Sequence, residues 1–115
     1  MPLNNTSKNL MLTQLAGVVA YVSAHTGDPG TTGANEVSGG SYARKAIAWG
    51  AASAGQINAT GTVDISIPGS TTVSYVGLWS AVTGGTFYGS DDIAAETFAA
   101  AGTLRINSAE IDLNA

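Results

Sequence analysis

Turn-forming residues interrupt this chain at short, regular intervals, and that spacing limits what it can fold into. Residues 68–70 are Pro-Gly-Ser and residues 83–85 are Thr-Gly-Gly. Between such turns, residues 63–67 alternate strictly, with Val63, Ile65 and Ile67 separated by polar side chains. Alternation of period two indicates a half-buried strand. Short strands at a spacing of roughly 8–12 residues are typical of β-sandwiches and small barrels.

The first 17 residues predict a different element. Asn4 is a capping residue, and Leu10, Met11 and Leu15 fall roughly on one helical face before Gly17. Strands are expected at residues 18–25, 42–49, 62–68, 72–80, 86–89, 104–106 and 109–113, with a short one at 56–60, whereas residues 94–98 fit either a strand or a helical turn. The strand at 72–80 carries apolar residues on both faces, so we expect it to be central.

The sequence therefore predicts a single domain spanning residues 1–115. Its fold class is mainly β, an antiparallel β-sandwich, jelly-roll-like or a small barrel, with a short N-terminal helix in segment 1–17. A chain of 115 residues is of ordinary size for one domain.

Residues 26–40 form the longest stretch without periodicity. They include five glycines and a proline, and Asp28-Pro29-Gly30 sets a turn. Loops of this length inside a small domain are usually functional or mobile. We expect an exposed loop that contacts a neighbouring molecule.

Composition favours a surface that is partly covered by other proteins. Only 10% of the residues are charged, against roughly 25% in ordinary soluble proteins, and charged residues are depleted at the centres of interfaces. The net charge of −4 and four scattered cations argue against a nucleic-acid partner. The longest apolar stretch, near residues 15–22, is far shorter than the roughly 20 residues of a membrane span. We expect a protein that is made and assembled in the cytoplasm and has no membrane partner.

No catalytic residues are predicted. His25 is the one histidine, and a triad with Ser23 or Ser41 and Asp28 can be imagined, but the G-x-S-x-G pattern is missing. The favoured interpretation is a histidine at a strand end that hydrogen-bonds the loop. The chain is therefore expected not to be an enzyme.

Cofactor and metal sites are not predicted either. Asp91-Asp92 lacks the spaced pattern of a calcium loop and is interpreted as a solvated turn, and no phosphate-binding glycine motif occurs. Arg44 and Lys45 are adjacent, so on a strand they face opposite sides. We expect one of them at an inter-subunit contact, where Glu36 can pair with it; otherwise both are solvated.

Trp49, Trp79 and Tyr88 admit two interpretations. Exposed aromatic rings form platforms for sugars, which would indicate a carbohydrate-binding module. Both tryptophans lie among apolar strand residues, however, and an indole buries a large area. Core packing is favoured.

Two long segments resemble known proteins. Residues 25–53 contain TGANEVSGGSYAR leading into WGAAS, and residues 73–90 read VSYVGLWSAVTGGTFYGS. They are similar to recurrent motifs of small bacteriophage virion proteins, which are often labelled tail fibre or minor structural proteins. The resemblance extends from about Val18 to Leu113. It implies a virion component and brings no catalytic residues.

Within the virion, a capsid decoration (cement) protein is favoured, since the heptads, triplets or β-helical repeats of a fibre are missing. The alternative is a tail fibre component that binds host glycans. We expect the major capsid protein or other virion proteins as partners, with the chain present as a homo-oligomer or in many copies. The candidate partner-binding residues are Leu10, Met11, Asp28, Glu36, Arg44 and Lys45, chosen from the N-terminal segment, the loop and the basic pair.

Overall fold

The computed structural model describes residues 2–107 and 109–114. In that part of the chain one helix is followed by eight strands. They are α1 (Asn5–Ala16), β1 (Tyr21–His25), β2 (Lys45–Ala46), β3 (Gln56–Asn58), β4 (Val63–Ile67), β5 (Thr71–Trp79), β6 (Phe87–Phe98), β7 (Gly102–Ile106) and β8 (Glu110–Asp112). The predicted helical segment 1–17 includes Met1, which lies outside the described residues.

The strands form three antiparallel groups. Four of them make a sheet in the order β2-β1-β5-β6, and the others form the pairs β3-β8 and β4-β7. One core of apolar side chains joins the four-stranded sheet to the β4-β7 pair. The prediction of a mainly β, antiparallel sandwich with an N-terminal helix is confirmed, and the sandwich is open.

The centre of this core is the alternating segment predicted from the sequence. Val63, Ile65 and Ile67 of β4 are at most 7% exposed. Ile65 pairs with Leu104 of β7, which is also buried. Burying such side chains stabilises the fold by roughly 1.5–3 kcal/mol each, so this strand pair fixes which face is internal.

Helix α1 is attached to the sandwich by one side only. The Asn4 side chain caps it by accepting a hydrogen bond from the Ser7 backbone N–H at 2.9 Å, and it ends at Gly17. Leu12 is its one buried residue in the described chain, whereas Leu10 and Met11 are 68% and 49% exposed. The helix packs against β3.

The predicted central strand, β5, lies between β1 and β6 as expected. Paired residues of antiparallel strands share a face. Val22 pairs with Leu78 on the inner face, toward the core, and Ser23 pairs with Gly77 on the outer face. The apolar core covers the inner face of this sheet, and other parts of the chain lie over its outer face.

Two predicted strands are shorter in the structure. The strand expected at 42–49 is reduced to Lys45–Ala46, since the Tyr42 backbone N–H donates to the Gly39 carbonyl oxygen in a turn and Trp49 forms a bridge with Ala59 instead. The strand at 18–25 begins only at Tyr21, since the backbone N–H groups of Val18 and Val19 still donate to Leu15.

The region from residue 87 to residue 98 is one strand. The separate segments expected at 86–89 and 94–98 belong to β6, and Asp91-Asp92, predicted as a turn, lies in its middle. There Asp92 pairs with Tyr75 and Asp91 with Val76. Polar residues are tolerated here because β6 is at the edge of its sheet.

Candidate interaction surfaces

A buried ion pair lies on the outer face of the four-stranded sheet. Arg44 Nε donates to Glu36 Oε2 at 2.8 Å and Arg44 Nη2 donates to Glu36 Oε1 at 2.9 Å, a two-point pairing. Arg44 Nη1 also donates to the carbonyl oxygens of Ala81 and Gly84, at 3.0 and 2.8 Å. One side chain thus fastens the end of the 26–40 loop to the turn after β5.

The guanidinium of Arg44 also stacks on an indole. It lies 3.6 Å from the centre of the Trp79 ring, close enough for a cation–π interaction. Phe87 packs on the same indole, with ring centres 5.0 Å apart. Gly33 approaches the indole so closely that a Cβ atom there would be 2.3 Å from Trp79. Trp79 is therefore covered by the loop, and only glycine fits at position 33.

Tyr42 joins the ion pair to the sheet. Its hydroxyl donates to Glu36 Oε2 at 2.7 Å and accepts from the Ala24 backbone N–H at 3.0 Å. Burial raises the pKa of the Tyr42 phenol, and the neighbouring Glu36 carboxylate raises it further. Burial alone would raise the pKa of Glu36, but hydrogen bonds from Arg44 and Tyr42 outweigh it and hold that pKa below its ordinary value. Glu36 is therefore ionised at neutral pH and Tyr42 is not.

His25 belongs to a second chain of hydrogen bonds. Trp79 Nε1 donates to Ser23 Oγ at 2.8 Å, and Ser23 Oγ lies 2.6 Å from His25 Nε2. His25 Nδ1 lies 2.8 Å from the carbonyl oxygen of Ala34, which can only accept. The partners therefore assign a neutral histidine with its proton on Nδ1. Burial lowers the pKa of His25, in agreement with this assignment.

These contacts confirm that His25 hydrogen-bonds the loop. They bring Ser23 and His25 together, but both are 0% exposed. Asp28 does not join them, because its carboxylate accepts from the Gly30 backbone N–H at 2.8 Å. We call Ser23, His25, Glu36, Tyr42, Arg44 and Trp79 the anchoring cluster, since together they hold the 26–40 loop on the sheet.

The loop is folded back over the outer face. Pro29 and Val37 are buried within it, and the N–H groups of Gly33 and Ala34 both donate to the Pro29 carbonyl oxygen. Much of its remaining surface is exposed, as expected. Its anchoring points, however, are fixed inside the chain.

The six candidate partner-binding residues have different surroundings. Glu36 and Arg44 pair with each other within the chain, and Arg44 is only 9% exposed. Lys45 is exposed, which agrees with its predicted orientation opposite to Arg44. Asp28 is exposed at the loop, and Leu10 and Met11 are exposed on α1. A partner contact at these positions stays a prediction.

Large apolar side chains are exposed mainly near the N-terminus. Leu3, Leu10, Met11 and Val18, which we call the N-terminal apolar surface, are between 39% and 68% exposed. They make up four of the six large hydrophobic side chains exposed in the described part of the chain. Exposed apolar side chains mark an interaction site where they form a contiguous patch, so Leu10 and Met11, adjacent on α1, are the candidates among them for a partner contact.

A second apolar surface is a groove of about 540 Å³ where the sandwich is open. Its floor contains Val76 and Leu78 of the inner face and Ile106 at the end of β7. Its rim includes Asp91 of β6 and Glu110 of β8. We call it the β6–β8 groove.

The aromatic residues follow the core interpretation. Trp79 is 7% exposed, and the half-buried Trp49 packs against the core while its Nε1 donates to the Val19 carbonyl oxygen at 3.0 Å. Tyr88 is 40% exposed. Of the three rings considered for a sugar platform, Tyr88 is thus the exposed one.

Metal and membrane sites can be assessed for the described residues. No group of three or more His, Asp or Glu side chains there is placed to hold a metal ion. Residues 2–107 and 109–114 also contain no helix that is both long and apolar enough to cross a membrane.

Comparison with known protein families shows which family the chain belongs to. A family model described as podophage GP4 fiber I protein gp80 matches residues 3–114. The chain belongs to this family. No curated protein matches the chain. The gp80 family match covers almost the whole chain and confirms the predicted phage virion structural protein, of a fibre family.

In this member of the gp80 family, the role of two residues of the anchoring cluster in holding the loop was not predicted from the sequence. Tyr42 was expected as a strand residue, and Trp79 as a core residue or, less favoured, as part of a sugar platform. Their partners are distant in the sequence, as the stacking of Arg44 on Trp79 shows. No local sequence pattern indicates such a contact. The sequence signal that was available is Gly33, whose missing side chain leaves room for the indole.

Proposed function

We propose that this chain is a fibre subunit of the phage particle, present in multiple copies and attached to another virion protein through helix α1. The observation that carries the proposal is the N-terminal apolar surface. Leu10 and Met11 project from a helix that has only Leu12 buried against the rest of the chain. Covering them with a partner would remove apolar area from water, at about 25 cal/mol per Å².

The way α1 is held supports this role. Asn9 accepts a hydrogen bond from the Gly55 backbone N–H at 3.0 Å, and Lys8 donates to the Asn114 side chain at 2.9 Å. These polar contacts fix the orientation of the helix without covering Leu10 or Met11. A 12-residue helix is only marginally stable alone in water. These contacts to the rest of the chain therefore hold α1 folded, with Leu10 and Met11 presented to a partner.

We also propose that the role is structural and not enzymatic. Ser23 and His25 are closed off from solvent, and Ser23 Oγ already accepts the Trp79 N–H. Neither group is accessible to a substrate, and their bonds serve to hold the loop.

Capsid decoration is the second candidate. It is favoured by the sequence, which lacks the repeats of a long fibre, and by dimensions of 46 × 27 × 24 Å for the described chain. Gold labelling of purified particles separates the two. We expect the gold label on the fibres. Label on the heads, with none on the fibres, would contradict the fibre proposal and favour decoration.

Host-glycan binding has weaker support. Trp79 is enclosed by Arg44, Phe87 and Gly33, which leaves Tyr88 as the exposed ring of the three considered. A Tyr88→Ala variant that lost binding of particles to host polysaccharide would revive this possibility. We expect no change.

The attachment proposal is tested with the double variant Leu10→Ser, Met11→Ser in phage. We expect its incorporation into particles to fall about tenfold or more, which corresponds to about 1.4 kcal/mol of lost binding, with the thermal midpoint of the free protein little changed. Val82→Ser removes another exposed apolar side chain, 45% exposed and distant in sequence from α1, and should be incorporated normally. Normal incorporation of the double variant would overturn the proposal.

A further inference from the structure

We infer that the β6–β8 groove binds an extended segment of a different virion protein, which adds to the open sandwich as a strand and carries alternating apolar side chains together with lysine or arginine. The inference rests on the proposed place of this chain in the virion. It concerns a second contact, separate from the exposed Leu10 and Met11 of α1, although Leu15 of that helix also lines the groove.

The first observation is that strand edges border the groove. Alternate residues of a strand point to opposite faces, so a surface that only touched one face would meet every second residue. This groove instead meets consecutive residues on both sides, 88–91 of β6 and 109–112 spanning β8. It therefore meets the margins of the two strands.

These margins are available for pairing. Among the described residues, β6 pairs only with β5, and β8 pairs only with β3. An edge strand presents unpaired backbone N–H and C=O groups, which another chain can extend. An extended segment lying between β6 and β8 would link two sheets that are now separate.

The second observation is an apolar floor that this chain leaves incompletely covered. Val76, Leu78, Ile93, Ile106 and Ile111 line the groove and are all only half-buried. On β4 the corresponding core positions Val63, Ile65 and Ile67 are at most 7% exposed. The alternate side chains of an added strand would complete the core at this end.

The third observation is the charge of the rim. Asp91, Glu110 and Asp112 line the groove, with no cationic residue among its lining side chains. A hydrogen bond from the Asn114 backbone, and another from Gln56, hold the pKa of Asp112 below its ordinary value. The three acidic side chains of the rim favour a segment with Lys or Arg.

Charge also decides against a second copy of this chain as the occupant. The chain has a net charge of −4 and four cations. Arg44 and Arg105 are already in ion pairs with acidic side chains of the same chain, and Lys8 is hydrogen-bonded to Asn114. Outside these ion pairs a second copy carries only Lys45 and the hydrogen-bonded Lys8 as cations, whereas a partner of different sequence can place several along one extended segment.

The test is photo-crosslinking in purified particles, with a benzophenone amino acid placed at Ser90, which lines the groove and is exposed. The crosslinked peptide is identified by mass spectrometry. We expect a segment of another virion protein with alternating apolar residues and Lys or Arg. The probe at Tyr88 gives a second position in the groove, and the probe at Thr31, on the exposed loop, is the control and should crosslink at least about tenfold less.

Charge reversal sharpens the result. Asp91→Lys with Glu110→Lys should lower the crosslinking yield about tenfold, whereas Glu96→Lys, on the same strand but outside the groove, should leave it unchanged. If the protein is present in particles at its normal level but both groove probes capture another copy of this chain, or no polypeptide, the inference is overturned while the proposed function stands. Absence of the unaltered protein from particles would overturn both.

Discussion

The two sides of the central sheet have opposite characters. On the outer face, the anchoring cluster encloses Arg44 and His25, and no buried side-chain nitrogen or oxygen in the described chain lacks a hydrogen-bond partner. On the inner face near β6, Val76 and Leu78 stay half-buried beside an open groove. Polar groups are satisfied on one side, and apolar groups are incompletely covered on the other.

This contrast changes where contacts are expected. The long glycine-rich loop, expected to contact a neighbouring molecule, is fastened to the sheet of its own chain at Glu36, Gly33 and Ala34. The surface that a partner would stabilise most is apolar and lies on α1 and in the β6–β8 groove. A long loop in a small domain can thus stabilise the fold by covering one face of a sheet.

Breaking the ion pair should give the largest effect. Arg44→Met leaves the Glu36 carboxylate partly buried without its cation, and removal of one partner of a buried pair costs about 3–5 kcal/mol. Urea denaturation measures this loss in the free energy of unfolding. Arg105→Met removes the exposed pair with Asp64 and should have little effect; equal losses for the two variants would contradict the anchoring role.

The fit of the loop on Trp79 is tested by a pair of glycines. Gly33 and Gly30 both have positive φ, +80° and +60°, but a Cβ would meet Trp79 only at Gly33. Gly30→Ala should cost about 1 kcal/mol for backbone strain alone. Gly33→Ala should cost about 1–3 kcal/mol more because of overpacking, as measured by thermal or urea unfolding. Similar values for both would show that the loop does not rest on the indole.

The smallest effect is a pH dependence from His25. Its pKa is lowered in the folded state from the ordinary 6.5, so the unfolded chain binds the proton more readily. Stability is therefore complete above pH 6.5 and falls as the pH drops below it, by at most about 1.4 kcal/mol per pH unit. Glu36 contributes a similar loss only nearer its own ordinary pKa of 4.5. Unfolding at pH 6.5 and 5.5 should show this slope in the native chain, and His25→Asn should remove it; an unchanged slope would mean that another group is responsible.

Local patterns predicted much of the fold. Asn4 and Gly17 bound the helix as expected, and the alternation of residues 63–67 gave a strand with the correct buried face. These features depend on neighbours in the sequence. The pairing of Glu36 with Arg44, eight residues apart, was also considered, although as a contact between subunits.

The remainder depends on contacts between distant residues. Tyr42 and Arg44 lie outside the shortened strand β2, and their side-chain partners lie on β1 and after β5. Asp91-Asp92 resembles a turn by composition, yet pairing with β5 keeps it extended. The β6–β8 groove could not be predicted at all, since it arises from the separation of the four-stranded sheet and the β3-β8 pair.

Hydrogen–deuterium exchange, compared between the free protein and purified particles, tests the central claim most directly. Backbone amides in α1, β6 and β8 should become protected on assembly, because these elements carry the apolar surfaces proposed to bind partners. Amides of residues 26–40 should change little, since the loop is already anchored in the free chain. Protection confined to the loop, with α1, β6 and β8 exchanging as in the free protein, would contradict the account.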